Sequence, residues 1–128
     1  MLPELGRTIN WIQQHGMKVI VIGPNMEYDL PVPFIIVKAL RHHQDLRVDD
    51  HLVVSQEQLD SRMTAFVRNQ TTAEYISAFE DLCTQDGTRK KCTVFAQPNI
   101  PLIWDTNHFT AQGSIVYAEE IRHRGQIP

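Results

Sequence analysis

Apolar residues in the first fifteen positions recur at Leu5, Ile9 and Ile12, one face of a helix, and Gly16 supplies its stop signal. The next run, Met17-Lys18-Val19-Ile20-Val21-Ile22, is nearly all apolar and β-branched. Such a run predicts a strand buried on both faces, the kind found in parallel sheets. Gly23-Pro24 ends it. Pro31 and Pro33 then hold off a helix until Phe34, and residues 34–43 predict one with Ile36, Val37 and Leu40 turned inward. Ser55 with Gln58 makes a capping-box pattern ahead of a helix face carrying Leu59, Met63, Phe66 and Val67. Thr72 is placed to cap a further helix with Ile76, Phe79 and Leu82 on one side. Two short strands, Thr93-Val94-Phe95 and Pro101-Leu102-Ile103-Trp104, precede a last helix over residues 111–123, expected to bury Ile115, Ala118 and Ile121 or their neighbours.

Helices alternating with short apolar strands predict an α/β domain with a mostly parallel sheet. Catalytic groups in such sheets gather past the C-terminal ends of the strands. The loop from Gly23 to Pro33 and the residues after Trp104 both lie past such ends, so the two loops are expected to line one crevice. With 128 residues and no repeats or linkers, the chain is expected to form a single domain over residues 1–128. A net charge of −3 leaves no basic footprint, which argues against nucleic acid as a partner. The one cationic run, Arg89-Lys90-Lys91, reads as a solvated loop. No apolar run approaches the ~18 residues of a membrane span. Nor does the start at Met1 carry a signal-peptide pattern, so the chain expressed alone is expected in the cytoplasm.

Candidate chemistry concentrates in Trp104-Asp105-Thr106-Asn107-His108-Phe109-Thr110-Ala111-Gln112-Gly113-Ser114. An Asp three residues before a His, just past a strand, is placed to accept the imidazole N–H. That fixes the tautomer and leaves the other ring nitrogen as a general base. On the residues alone, a hydrogen-bonded loop pair without chemistry is the plainer reading. No nucleophile is visible: Ser55, Ser61, Ser77 and Ser114 sit in no Gly-Asp-Ser or Gly-x-Ser-x-Gly setting. His42, His43 and His51 near Asp49 and Asp50 match no tight metal-ligand spacing and read as a solvated helix end and loop. Trp11 and Trp104 read as core or edge packing in preference to a sugar platform. Cys83 and Cys92, eight polar or turn-forming residues apart, leave a disulfide and two structural thiols equally open. A metal or redox protein of the cytosol would need both cysteines reduced.

The Asp105-x-x-His108 block followed by Gly113-Ser114 and a helix resembles the last sequence block of SGNH (GDSL-like) hydrolases. The strand ending Ile22-Gly23-Pro24, then Glu27-Tyr28-Asp29-Leu30-Pro31, is similar to the SGNH domain fused to acyltransferase-3 membrane proteins. So is Tyr75-Ile76 leading through Leu82-Cys83 to Cys92 and Pro101-Leu102-Ile103-Trp104-Asp105. Asn25-Met26 departs from the family, which has a proline-containing sequence there. The likeness implies an incomplete flavodoxin-like, three-layer α/β/α fold with a short parallel sheet. It implies that His108 is the general base and Asp105 its orienting partner in a Ser-His-Asp triad. It further implies an acyltransferase or esterase that moves acyl groups, commonly acetyl, to carbohydrate hydroxyls or water, with no metal or organic cofactor.

The family's nucleophile and oxyanion blocks have no counterpart here, so the chain reads as a C-terminal portion, expected to be inactive alone. An extracytoplasmic setting, beside a membrane domain, is implied for the intact protein, and with it a Cys83–Cys92 disulfide. A parallel sheet without its first strands exposes an apolar edge, so self-association or binding to the missing half is expected. The alternative is a non-catalytic remnant or interaction module that keeps the fold.

Overall fold

The strand expected after Gly16 forms at Ile20–Ile22 (β1) and pairs in parallel with Glu74–Ile76 (β2), Val21 lying against Tyr75. The computed structural model describes residues 1–127 of the chain. Parallel strands need a long crossover. Here it carries α2 (Val32–Arg41), a 3₁₀ turn (Val48–His51) and α3 (Val54–Gln70). In front of β1, α1 (Leu2–Gln14) buries Ile9 against Val67, Ala73 and Tyr75, with Leu5, Met63 and Phe66 around them. The α/β class expected from the sequence is the class observed. Among the described residues the parallel pairing stops at two strands. β1 is therefore not buried on both faces: Ile20 and Val21 are half-buried and Ile22 is exposed.

The ends of β1 and β2 are pinned by a buried carboxylate. Asp60 of α3 accepts hydrogen bonds from the Tyr75 hydroxyl at 2.8 Å and from Ser77 Oγ at 2.6 Å. Burial first, and then the hydrogen bond to Asp60, pushes the Tyr75 hydroxyl pKa up. Gly23 leaves β1 across this network, its N–H donating to the Ile76 carbonyl at 2.9 Å.

Residues 72–82 do not form the single helix their spacing predicts. Tyr75 and Ile76 pair with β1 instead, and the helix α4 (Ala78–Leu82) starts only after Ser77, whose hydroxyl accepts the Glu80 N–H. Pairing with a neighbouring strand overrides the helical pattern. The polar stretch that follows is a hairpin rather than a loop. Its strands are β3 (Cys83–Asp86) and β4 (Arg89–Cys92), with Gly87 turning at φ 61°. The basic run lies on β4, where Arg89 pairs with Asp50 at 2.7 Å. Cys83 and Cys92 face each other across the base of the hairpin and are joined by a disulfide. Breaking it by Cys83→Ala with Cys92→Ala is expected to cost about 2–3 kcal/mol, from loop-closure entropy. Denaturant unfolding of the double variant checks this; an unchanged midpoint would assign the bond no stabilising role.

β5 (Phe95–Gln97) and β6 (Ile100–Pro101) form a second hairpin, and α5 (Ala111–His123) closes the described chain. Thr110 caps α5 by accepting the Gly113 N–H at 2.9 Å. The buried side of α5 carries Gly113 and Ile121, with Val116 and Tyr117 packed on the core, while Ile115 and Ala118 face outward. Two sequence expectations for the other long helices also shift. α2 begins at Val32 because Pro33 falls in the first turn, where a missing N–H is harmless. That start turns Val32, Ile35 and Ala39 inward and leaves Val37 60% and Leu40 72% exposed. Together with Ile36, Leu46 and Phe95 they line an apolar cavity of about 400 Å³. α3 starts without a capping box: Val53 is its N-cap, and no side chain bonds there.

Candidate active site

The chain leaves β6 through buried Leu102 and Ile103, then folds back on itself within five residues. Ile103 bridges Phe109, and the Trp104 N–H donates to the His108 carbonyl at 3.0 Å. Inside this closed loop Asp105 is the hub. Its Oδ1 accepts the backbone N–H groups of Asn107 at 2.9 Å and His108 at 2.8 Å, and its Oδ2 meets His108 Nδ1 at 2.7 Å.

These bonds decide the electrostatics. The N–H of His108, then that of Asn107, stabilise the charged form and hold the Asp105 pKa down to about 2. A carboxylate that stays ionised can only accept, so the imidazole must donate from Nδ1. In the neutral ring that leaves the lone pair on Nε2, on a side chain that is 69% exposed. An oriented base facing solvent is what the arrangement provides.

Asp105 also makes the loop's order depend on pH. Its depressed pKa stabilises the loop above the ordinary aspartate value of about 4, and the stabilisation fades as pH falls towards about 2. The amide proton signals of Asn107 and His108 are expected to titrate together with a midpoint near 2. A midpoint near 4 would show that those N–H groups do not hold the carboxylate.

The loop is anchored from one other segment. The Tyr28 N–H donates to the Thr106 carbonyl at 2.8 Å, the Val32 N–H to the Asp105 backbone carbonyl at 2.9 Å, and Asn25 Nδ2 to the Asn107 carbonyl at 2.6 Å. The structure thus brings the 23–33 segment and the Asp105–His108 loop side by side. Asn25-Met26 stands where the family resemblance led to a proline-containing sequence, and the Asn25 amide ties the two loops together. Sequence reading missed it because its acceptor is a backbone carbonyl 82 residues away.

Other expected groups fall elsewhere. Ser77 is buried on Asp60, and Ser55, Ser61 and Ser114 are exposed on α3 and α5. Among the described residues no serine is hydrogen-bonded to His108. His51 pairs with Asp29 at 2.7 Å, and no group of three His, Cys, Asp or Glu among the described residues is arranged to hold a metal. Neither tryptophan packs into the core: Trp11 is 59% and Trp104 58% exposed. Trp104 instead stacks on His108, ring centroids 6.1 Å apart and planes 27° from parallel.

Comparison with known proteins bears on the family and the fold. The family model of the SGNH domain fused to AT3 domains matches residues 2–123. No curated protein matches the chain. A solved structure, the periplasmic domain of a lipopolysaccharide acetyltransferase from Salmonella ser. Paratyphi A, is similar in fold, with a TM-score of 0.74 at 24% identity. The match covers 96% of this chain but 48% of that one, so the chain spans about half the length of the solved domain.

Proposed function

The chain belongs to the family of SGNH domains fused to AT3 domains, and on that premise we propose that Asp105 and His108 are the carboxylate and general base of a Ser-His-Asp acyl-transfer site. The observation that carries the proposal is the 2.7 Å bond from His108 Nδ1 to an Asp105 carboxylate that two backbone N–H groups keep ionised. The serine comes from polypeptide corresponding to the half of the solved domain that this chain does not cover.

In the assembled site the serine hydroxyl gives its proton to His108 Nε2 as Oγ attacks the acyl carbonyl carbon. The resulting imidazolium is stabilised by Asp105 and returns the proton to the departing alkoxide, leaving an acyl-serine. An acceptor hydroxyl then gives its proton to Nε2, attacks the acyl carbon, and releases the serine, which takes that proton back. The neighbour's acetyltransferase name supports acetyl as the group moved, and its lipopolysaccharide supports a carbohydrate hydroxyl as acceptor. Its periplasmic setting, with the Cys83–Cys92 disulfide, supports an extracytoplasmic site beside a membrane-bound AT3 partner. The exposed Ile22, Val37 and Leu40 give the serine-bearing half, or a second copy of the chain, apolar surface to cover.

The test is turnover of p-nitrophenyl acetate by the chain alone and by the chain co-expressed with the serine-bearing half of an SGNH domain of this family. The chain alone is expected at the background of its His108→Ala variant, and the pair above it. Turnover by the pair that His108→Ala leaves unchanged would overturn the assignment. A second reading, a non-catalytic interaction module, draws on the lack, among the described residues, of any serine bonded to His108; a pair that assembles without turnover would favour it.

A further inference from the structure

Trp104 keeps its indole open to solvent although the residues before it enter the core. Its neighbours Leu102 and Ile103 are buried, and its backbone is fixed by the bond to the His108 carbonyl, yet the indole remains 58% exposed. Burying a side chain of this size favours folding by roughly 1.5–3 kcal/mol, so leaving it open on a rigid loop forgoes stability. We propose that Trp104 is the platform on which the ring of the carbohydrate acceptor stacks, so that this residue decides which hydroxyl reaches His108 Nε2. The proposal rests on the reading of His108 as the base.

Geometry supports a ring beside the imidazole. Planes 27° from parallel with centroids 6.1 Å apart are laterally offset, because rings stacked face to face would lie closer. The imidazole therefore covers one part of the indole and leaves the adjoining part open. A pyranose lying there has its edge hydroxyls directed along the indole surface towards the imidazole. The shape discriminates between substrate parts as well. A small acyl group is bound in a concave site with polar groups at one end, whereas the indole presents a flat, open, apolar face with a polar edge, suited to the C–H face of a sugar. The loop hydrogen bonds hold His108 close to the Trp104 backbone, since Asp105 ties His108 by both its backbone and its ring and the Trp104 N–H bonds the His108 carbonyl.

Trp11 is a built-in control, because it is equally exposed (59%) but lies on α1 beside His15. The experiment follows the two indole N–H signals of the chain by NMR while methyl α-D-galactopyranoside is added. Sorbitol, a polyol without a ring, is the second control. The expected result is a saturable shift of the Trp104 signal with a Kd of about 10 mM, with Trp11 and the sorbitol titration flat. Saturation transfer to the sugar is expected to fall by about tenfold in affinity in Trp104→Ala and by less in Trp104→Phe. The His108→Ala chain should still bind, which separates this proposal from the catalytic one: ester turnover does not enter the measurement. Equal movement of both indoles, an equal response to sorbitol, or no response of Trp104 would each overturn it.

Discussion

Replacing His108 by alanine or Asp105 by asparagine in the assembled domain is expected to lower ester turnover by about 10⁴-fold. The two losses have different origins. His108→Ala removes the atom that takes the serine proton. Asp105→Asn keeps an oxygen for the N–H groups of Asn107 and His108, which now bond Oδ1 at 2.9 and 2.8 Å, so the loop holds its shape. The amide nitrogen, however, is a donor set against His108 Nδ1. The imidazole must turn acceptor there and carry its proton on Nε2, where the lone pair is needed. The kcat of the asparagine variant, measured beside an unchanged amide NMR spectrum, checks this. A loss of less than tenfold would show that tautomer control by Asp105 is not part of the site.

Gly113→Ala is expected to cost about 3 kcal/mol of stability, or roughly 10 °C in Tm. A β-carbon at Gly113 would run into the Leu102 carbonyl oxygen, and that oxygen belongs to backbone that cannot swing away. The same carbonyl already accepts the Thr110 N–H at 2.9 Å, so the first turn of α5 is seated directly on the strand that leads to the site. Moving α5 off Leu102 would disturb the start of the Trp104–His108 loop as well. Gly6→Ala offers the comparison. Its β-carbon would come to 3.0 Å from the edge of the Phe66 ring, a side chain able to tilt, and alanine favours a helix interior by up to about 1 kcal/mol. Thermal unfolding of the two variants should therefore differ widely; equal midpoints would show that the α5–Leu102 contact relaxes freely.

What the sequence made legible was local. The pairing of Asp105 with His108 spans three residues and is made within one loop, so it could be read directly. α1 declared itself by apolar spacing and the Gly16 stop, and α5 by its extent, though not by the face it buries. The misreadings arose where distant partners decide. The pattern Ile76-Phe79-Leu82 has helical spacing, but Ile76 serves a strand because β1 lies alongside it. The stretch between Cys83 and Cys92 lacks apolar residues because both strands of its hairpin are mostly exposed. Val37 and Leu40 have the right spacing to face inward, yet the register of α2 set by its start at Val32 gives that place to Ile35 and Ala39. Apolar character alone did not place Trp104, since a residue reads as core until its neighbours are known to occupy the core without it.

The three hydrogen bonds that anchor the Asp105–His108 loop have a consequence for its kinetics of opening. Two of them use main-chain N–H groups, those of Tyr28 and Val32, and the third uses the Asn25 amide. Tyr28 and Val32 are themselves buried, so their amide protons can exchange with solvent only when the loop lifts away. Two residues of one segment thereby act as slow-exchanging sentinels for another segment more than seventy positions along the chain. Any ligand that settles on the loop should slow both sentinels by the same factor, and an exchange rate that changes at one but not the other would mark separate, sequential detachment.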